Sequence, residues 1–132
     1  MDDEVLRLVW DRADSACEYC HLPQRHCHLI FEVDHIIATC HGGVTRPSNL
    51  ALSCFYCNRC KGPNIAGIDP VSRRLSPLFH PRRQKWNRHF RYEGPILVGL
   101  TRIGRATISV LQINDPDAVA LREALISAGL WR

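Results

Sequence analysis

The sequence has no apolar run approaching the roughly 20 residues that a membrane-spanning helix needs. It has no internal repeat and no low-complexity tract, which sets aside solenoids, fibres and disordered tails. The opening residues, Met1-Asp2-Asp3-Glu4, are acidic and lack the basic-then-apolar pattern of a secretory signal, so the expectation is a cytoplasmic protein. Acids are absent from Val71 to Tyr92, where Arg73, Arg74, Arg82, Arg83, Lys85, Arg88 and Arg91 accumulate. That block is the natural contact for a polyanion, although the overall charge is only +4. Seven cysteines in a reducing compartment, and an odd number of them, argue against a disulfide framework. With 132 residues, of which 45% are hydrophobic, the chain can build a modest core.

Turn signals divide the chain. Asp3 to Ala16 reads as a helix, with Val5, Leu8, Val9 and Arg12 on one stripe and acids in the first turn. His28 to Asp34 is rich in strand formers and runs into His35; Leu50-Ala51-Leu52 suits a second strand paired with it. Cys54 to Lys61 reads as a knuckle opening a short helix that stops at Gly62-Pro63. Asp69 to Pro81 is a proline-punctuated connection, and Ile96 to Leu100 is a strand or an apolar loop. Two helices close the chain, roughly Gly104 to Ile113 and Asp117 to Ala128, with Leu111, Val119, Leu121, Leu125 and Leu130 as core candidates. The expected organisation is a core in residues 1–66 and a basic, helical extension in residues 67–132 packed onto it.

Two paired spacings carry chemistry. Cys17-x-x-Cys20 and Cys54-x-x-Cys57 form knuckles separated by 33 residues, and two such hairpins can close a tetrahedral four-thiolate zinc site. Such a site has no open position and is therefore structural. Spacing alone leaves alternatives: Cys60 makes an overlapping pair with Cys57, Cys27 lies near the first pair, and four cysteines also suit an iron–sulfur cluster. Unliganded buried thiols are the plainest alternative.

Between the knuckles lie Glu32-Val33-Asp34-His35-Ile36, then His41-Gly42-Gly43, then Asn49-Leu50-Ala51-Leu52, and the second knuckle runs on through Asn58 to Lys61. This ordered set, over residues 17 to 62, resembles the HNH endonuclease family in its zinc-bound form. The resemblance implies an α+β fold with a ββα-metal (His-Me finger) core, zinc on Cys17, Cys20, Cys54 and Cys57, and hydrolysis of phosphodiester bonds in DNA. It implies His35 as general base, Asp34 and Asn58 as ligands of a second, catalytic divalent cation such as Mg2+, and Asn49 as the residue that pins the loop.

These residue types suit that chemistry. Histidine titrates near neutrality and can take a proton from water. A carboxylate with a neutral amide oxygen binds a hard cation loosely and leaves room for a phosphate. On a regular strand Asp34 and His35 would face opposite sides, so the site requires the strand to end there. Glu32 shares the Asp34 face and is placed to orient it, and His41 either shapes the loop or touches phosphate. Lys61, Arg82, Arg83, Lys85 and Arg88 are the candidate nucleic-acid contacts, while Trp86 and Phe90, four apart, are expected to pack the extension onto the core. A single site cuts one strand per engagement, so a double-strand break would call for a homodimer or two encounters. Two other readings compete: a zinc-stabilised nucleic-acid-binding module without catalysis, and a cysteine-based redox or iron–sulfur protein, which leaves Asp34, His35 and Asn58 unexplained.

Overall fold

A computed structural model describes residues 1–131. Helix α1, Asp3–Arg12, starts where the Asp2 side chain accepts from the Val5 N–H and two acids sit in the first turn. It is shorter than its pattern predicts, because Asp14 and Ser15 take left-handed backbone that a helix cannot continue through. Val9 is fully buried, but Leu8 is exposed, so the expected apolar stripe is narrower than read. Arg12 is a clamp: its guanidinium donates to the Pro47 and Leu50 carbonyls at 2.7 and 2.5 Å.

Strands β1, Glu32–His35, and β2, Leu50–Ser53, pair antiparallel with Asp34 opposite Ala51 and His35 opposite Leu50. The strand expected from His28 begins only at Glu32. The Gln24 side chain explains this, since its amide donates to the Leu29 carbonyl at 3.1 Å and its oxygen accepts the Phe31 N–H at 2.7 Å. Those backbone groups are thereby taken from any ladder. Helix α2, Phe55–Lys61, follows β2 directly and ends at Gly62, whose φ of 49° closes the helix as expected.

The proline-punctuated connection contains a hairpin, β3 (Ala66–Ile68) with β4 (Leu75–Pro77). Asp69 builds its turn by accepting the Val71 and Ser72 N–H groups, and Arg105 grips the same carboxylate with two bonds of 2.9 Å. The Arg105 guanidinium holds this carboxyl well below the usual range. A short helix α3, Trp86–His89, leads into β5, Phe90–Glu93, which pairs with β6, Ile96–Gly99. Helices α4, Arg102–Leu111, and α5, Pro116–Ser127, finish the chain within two residues of their sequence boundaries. Leu111 and Leu125 are buried as expected, and Val119 and Leu121 partly so; Leu130 is 52% exposed, and it is the following Trp131 that packs against the core.

The stretch from Gly99 to Thr107 fastens α4. Thr101 caps the helix by accepting the Gly104 N–H, and the Thr107 hydroxyl accepts the Phe79 N–H at 2.8 Å. Gly104 is required by packing: a Cβ there would lie 2.1 Å from the His89 carbonyl oxygen. In the core, Phe90 is 1% exposed and packs between Phe79 and Trp86, with ring centroids at 5.3 Å to each. Of Trp86 and Phe90, Trp86 makes the contact with the core segment, on Tyr19 and His21, while the ring neighbours of Phe90 lie within the extension. Replacing Phe90 with alanine removes the ring that joins these two neighbours. Denaturant unfolding at fixed zinc should show a loss of about 3–5 kcal/mol, and a loss under 1 kcal/mol would mean that this aromatic cluster does not stabilise the fold.

Candidate metal centre and motif site

The first knuckle is closed by its own backbone, with Cys17 N–H donating to the Leu22 carbonyl and His21 N–H to the Cys17 carbonyl. It docks on β2 through Glu18, whose N–H donates to the Leu52 carbonyl and whose carboxylate accepts the Leu52 N–H at 2.8 Å. The second knuckle is the start of α2, where Cys54 is the N-cap residue. These two attachments bring Cys17, Cys20, Cys54 and Cys57 together, fully buried, with their sulfurs within 4.8 Å of one another. The Cys20 and Cys54 sulfurs are 3.8 Å apart. A tetrahedral ion with Zn–S bonds of ~2.3 Å has sulfur–sulfur edges of about 3.8 Å, so the cluster fits zinc. Backbone N–H groups of Cys20 and Cys57 approach the Cys17 and Cys54 sulfurs at 3.5 and 3.4 Å, which supports thiolates there. Among the described residues this is the only such cluster of histidine, cysteine and carboxylate ligands. Cys60 lies outside it, which excludes the overlapping Cys57/Cys60 pair. Cys27 and Cys60 are half-buried and Cys40 exposed.

The motif residues sit on the three elements beside this cluster. Glu32 and Asp34 share one face of β1, and α2 lies against that face. Asn58 meets Glu32 at 2.5 Å, and one turn later the Lys61 ammonium meets Asp34 at 3.2 Å and the His35 carbonyl at 3.2 Å. The pairing works because two residues along a strand advance roughly as far as one helical turn. Asp34 is buried and also accepts the Tyr19 hydroxyl at 2.7 Å. Burial raises its carboxyl above the ordinary value, against the opposing pull of Lys61 and Tyr19. Burial, and then the Asp34 charge, push the Tyr19 phenol well up, which keeps it the donor.

β1 ends at His35 as the motif requires, and Asp34 and His35 meet different neighbours. Asp34 turns to Tyr19 and Lys61, whereas the His35 Nε2 lies 2.9 Å from the Thr45 hydroxyl. Asn49 pins the intervening loop: its oxygen accepts the Ile37 N–H at 2.8 Å, and its amide donates to the Ile37 and Val44 carbonyls, both at 2.9 Å. His41 is exposed on that loop.

Two of the expected nucleic-acid contacts are not surface cations. Lys61 is 1% exposed and committed to Asp34, because α2 turns its last helical residue inward. Arg82 is half-buried against Glu18, the residue that fixes the first knuckle to β2. Arg83, Lys85 and Arg88 are exposed as expected. The Trp86 indole N–H donates to the Tyr19 carbonyl at 2.9 Å and its ring stacks on His21 at 3.9 Å, so the extension braces the first knuckle. Sequence reading missed Tyr19, Glu18 and Thr45. Tyr19 carried a signal, an aromatic between two knuckle cysteines, whereas Thr45 carried none.

Removing the metal from four buried sulfurs leaves a cavity of mutually repelling or unsatisfied thiols. Metal analysis should find one zinc per chain, and chelation or Cys57→Ser should abolish cooperative thermal unfolding, since structural zinc supplies on the order of 10 kcal/mol in peptide hosts. A chain that melts identically with and without chelator would contradict this. Asn49→Ala removes three bonds from the loop and should cost about 2–3 kcal/mol while opening residues 38–46 to limited proteolysis.

No curated protein and no solved structure matches the chain. The family model described as HNH endonuclease matches residues 17–64, a span that includes both knuckles, β1, β2 and α2. Residues 17–64 are thus similar to the HNH endonuclease family.

Proposed function

We propose that this chain is a metal-dependent endonuclease that hydrolyses phosphodiester bonds in DNA, with His35 as general base. The observation that supports it is the packing of β1, which bears Asp34 and His35, against α2, which bears Asn58, beside a four-cysteine cluster that fits zinc. In this reading zinc on Cys17, Cys20, Cys54 and Cys57 holds the fold and takes no part in the chemistry.

Asp34 and Asn58 would hold the catalytic divalent cation; the Asn58 amide nitrogen donates to Glu32, which leaves the amide oxygen as the ligand atom. Hard oxygen donors of this kind suit a Mg2+-like ion that keeps several waters. When bound, such an ion supplies Lewis-acid stabilisation to the scissile phosphate and the leaving oxygen. His35 takes the proton from water as the water oxygen attacks phosphorus, and the bond from phosphorus to the 3′ oxygen breaks. Asn49 keeps the loop after β1 in one shape, so that the ring is presented in one orientation. Arg83, Lys85 and Arg88 neutralise backbone phosphates beyond the reacting one.

One observation favours a second reading, a nucleic-acid-binding module without catalysis. The Lys61 ammonium sits on Asp34, where it competes with a divalent cation. A plasmid-nicking assay separates the two readings. The zinc-loaded chain should nick with Mg2+ or Mn2+ and stop with a chelator strong enough for those ions but too weak to strip zinc. His35→Ala should cut about 10²–10⁴-fold more slowly with DNA affinity retained. DNA binding without cleavage under any divalent ion would establish the binding module instead.

A further inference from the structure

We propose that Thr45 is a positioning residue for the reaction: its hydroxyl accepts the Nε2–H of His35 and so leaves Nδ1 as the nitrogen that takes the proton from water. This rests on the reading of His35 as general base. Of the two ring nitrogens, Nε2 lies 2.9 Å from the Thr45 hydroxyl, and Nδ1 has no hydrogen-bond partner among the described residues. A neutral imidazole carries one proton, and the hydrogen bond made by one nitrogen decides which nitrogen keeps the lone pair. With Thr45 as acceptor the proton stays on Nε2, and the same bond survives when the ring becomes a cation. The ring therefore does not have to turn between taking up the proton and releasing it.

The loop that carries Thr45 is shaped for this contact. Gly42 has a φ of 87°, a conformation that other residues adopt at a cost. Gly43 passes so close to the strand end that a Cβ would lie 1.7 Å from the Ile37 carbonyl oxygen, and its N–H donates to the Ala38 carbonyl. Asn49 then grips the Val44 carbonyl, one residue before Thr45, with the amide that also holds Ile37. The two glycines and the asparagine thus set the position of a hydroxyl that belongs to neither motif. Thr45 is exposed and supports no core packing, so its hydroxyl can be removed with little effect on the fold.

The test uses the full, zinc-loaded chain as wild type, Thr45→Val, Thr45→Ser and His35→Ala, with plasmid nicking in Mg2+ or Mn2+ and ¹⁵N spectra of the His35 ring in its neutral form. The wild-type ring should show a protonated Nε2 and a bare Nδ1. Thr45→Val should mix the two tautomers and lower kcat about tenfold with KM within about twofold, because the hydroxyl touches the base and not the substrate. Thr45→Ser should restore both the ring signals and most of the rate. A wild-type ring protonated on Nδ1 overturns the proposal, whatever the variants do. So does a valine variant with wild-type rate while His35→Ala is inactive, and in that case the general-base reading stands. If His35→Ala itself keeps cutting, the general-base reading falls and takes this role of Thr45 with it.

Discussion

Everything in this fold depends on closing two distant cysteine pairs onto one point. The sulfurs of Cys17 and Cys20 belong to a turn after α1, and those of Cys54 and Cys57 to the start of α2. Ligation converts the intervening segment into a closed loop whose ends are fixed. Within it the β1–β2 hairpin is only four residues per strand, too short to be stable by itself. The hairpin is sandwiched instead, with Glu18 of the first knuckle bonded to β2 and α2 of the second laid against β1. A small domain with few core residues needs such a staple.

The same arrangement couples the metal cluster to the motif site. Tyr19 stands between Cys17 and Cys20, yet its hydroxyl ends on Asp34; Lys61 lies one turn beyond Cys57 and Asn58, and its ammonium ends on the same carboxylate. Both knuckles therefore reach into one buried acid. A buried ion pair stabilises little in net terms, but breaking it is costly because the remaining charge stays buried. Its effect here is to fix where β1 ends relative to α2, which decides where His35 is presented. Lys61 read in sequence as a phosphate contact, and it serves the interior instead.

The parts of the fold legible in the sequence were those with a strong local code. Paired cysteines, the order from Glu32 to Asn58, the Gly62 stop and the last helix expected from Asp117 all correspond to observed features. What misled were side chains acting on backbone far from their own position. Gln24 took the backbone partners of Leu29 and Phe31 and delayed the strand, Asp69 built a hairpin turn inside a proline-rich stretch, and Glu18 drew Arg82 off the surface. Each effect depends on a partner brought near by folding, and no window along the chain contains both halves. Thr45 is the extreme case, since a threonine after two glycines has no pattern until His35 is beside it.

The Trp86 ring resting on His21, together with the Tyr92 hydroxyl that donates to the Cys20 carbonyl at 2.5 Å, sets the size of the working unit. The family segment stops at residue 64, but the turn that presents two of its four sulfurs is roofed by aromatics from some 20 to 30 residues further on. Trimmed to the segment, the first knuckle would lose its roof and open its carbonyls to water. The extension is thus a lid over the four-cysteine cluster, and its aromatic residues answer to the shape of the cysteine turn beneath them.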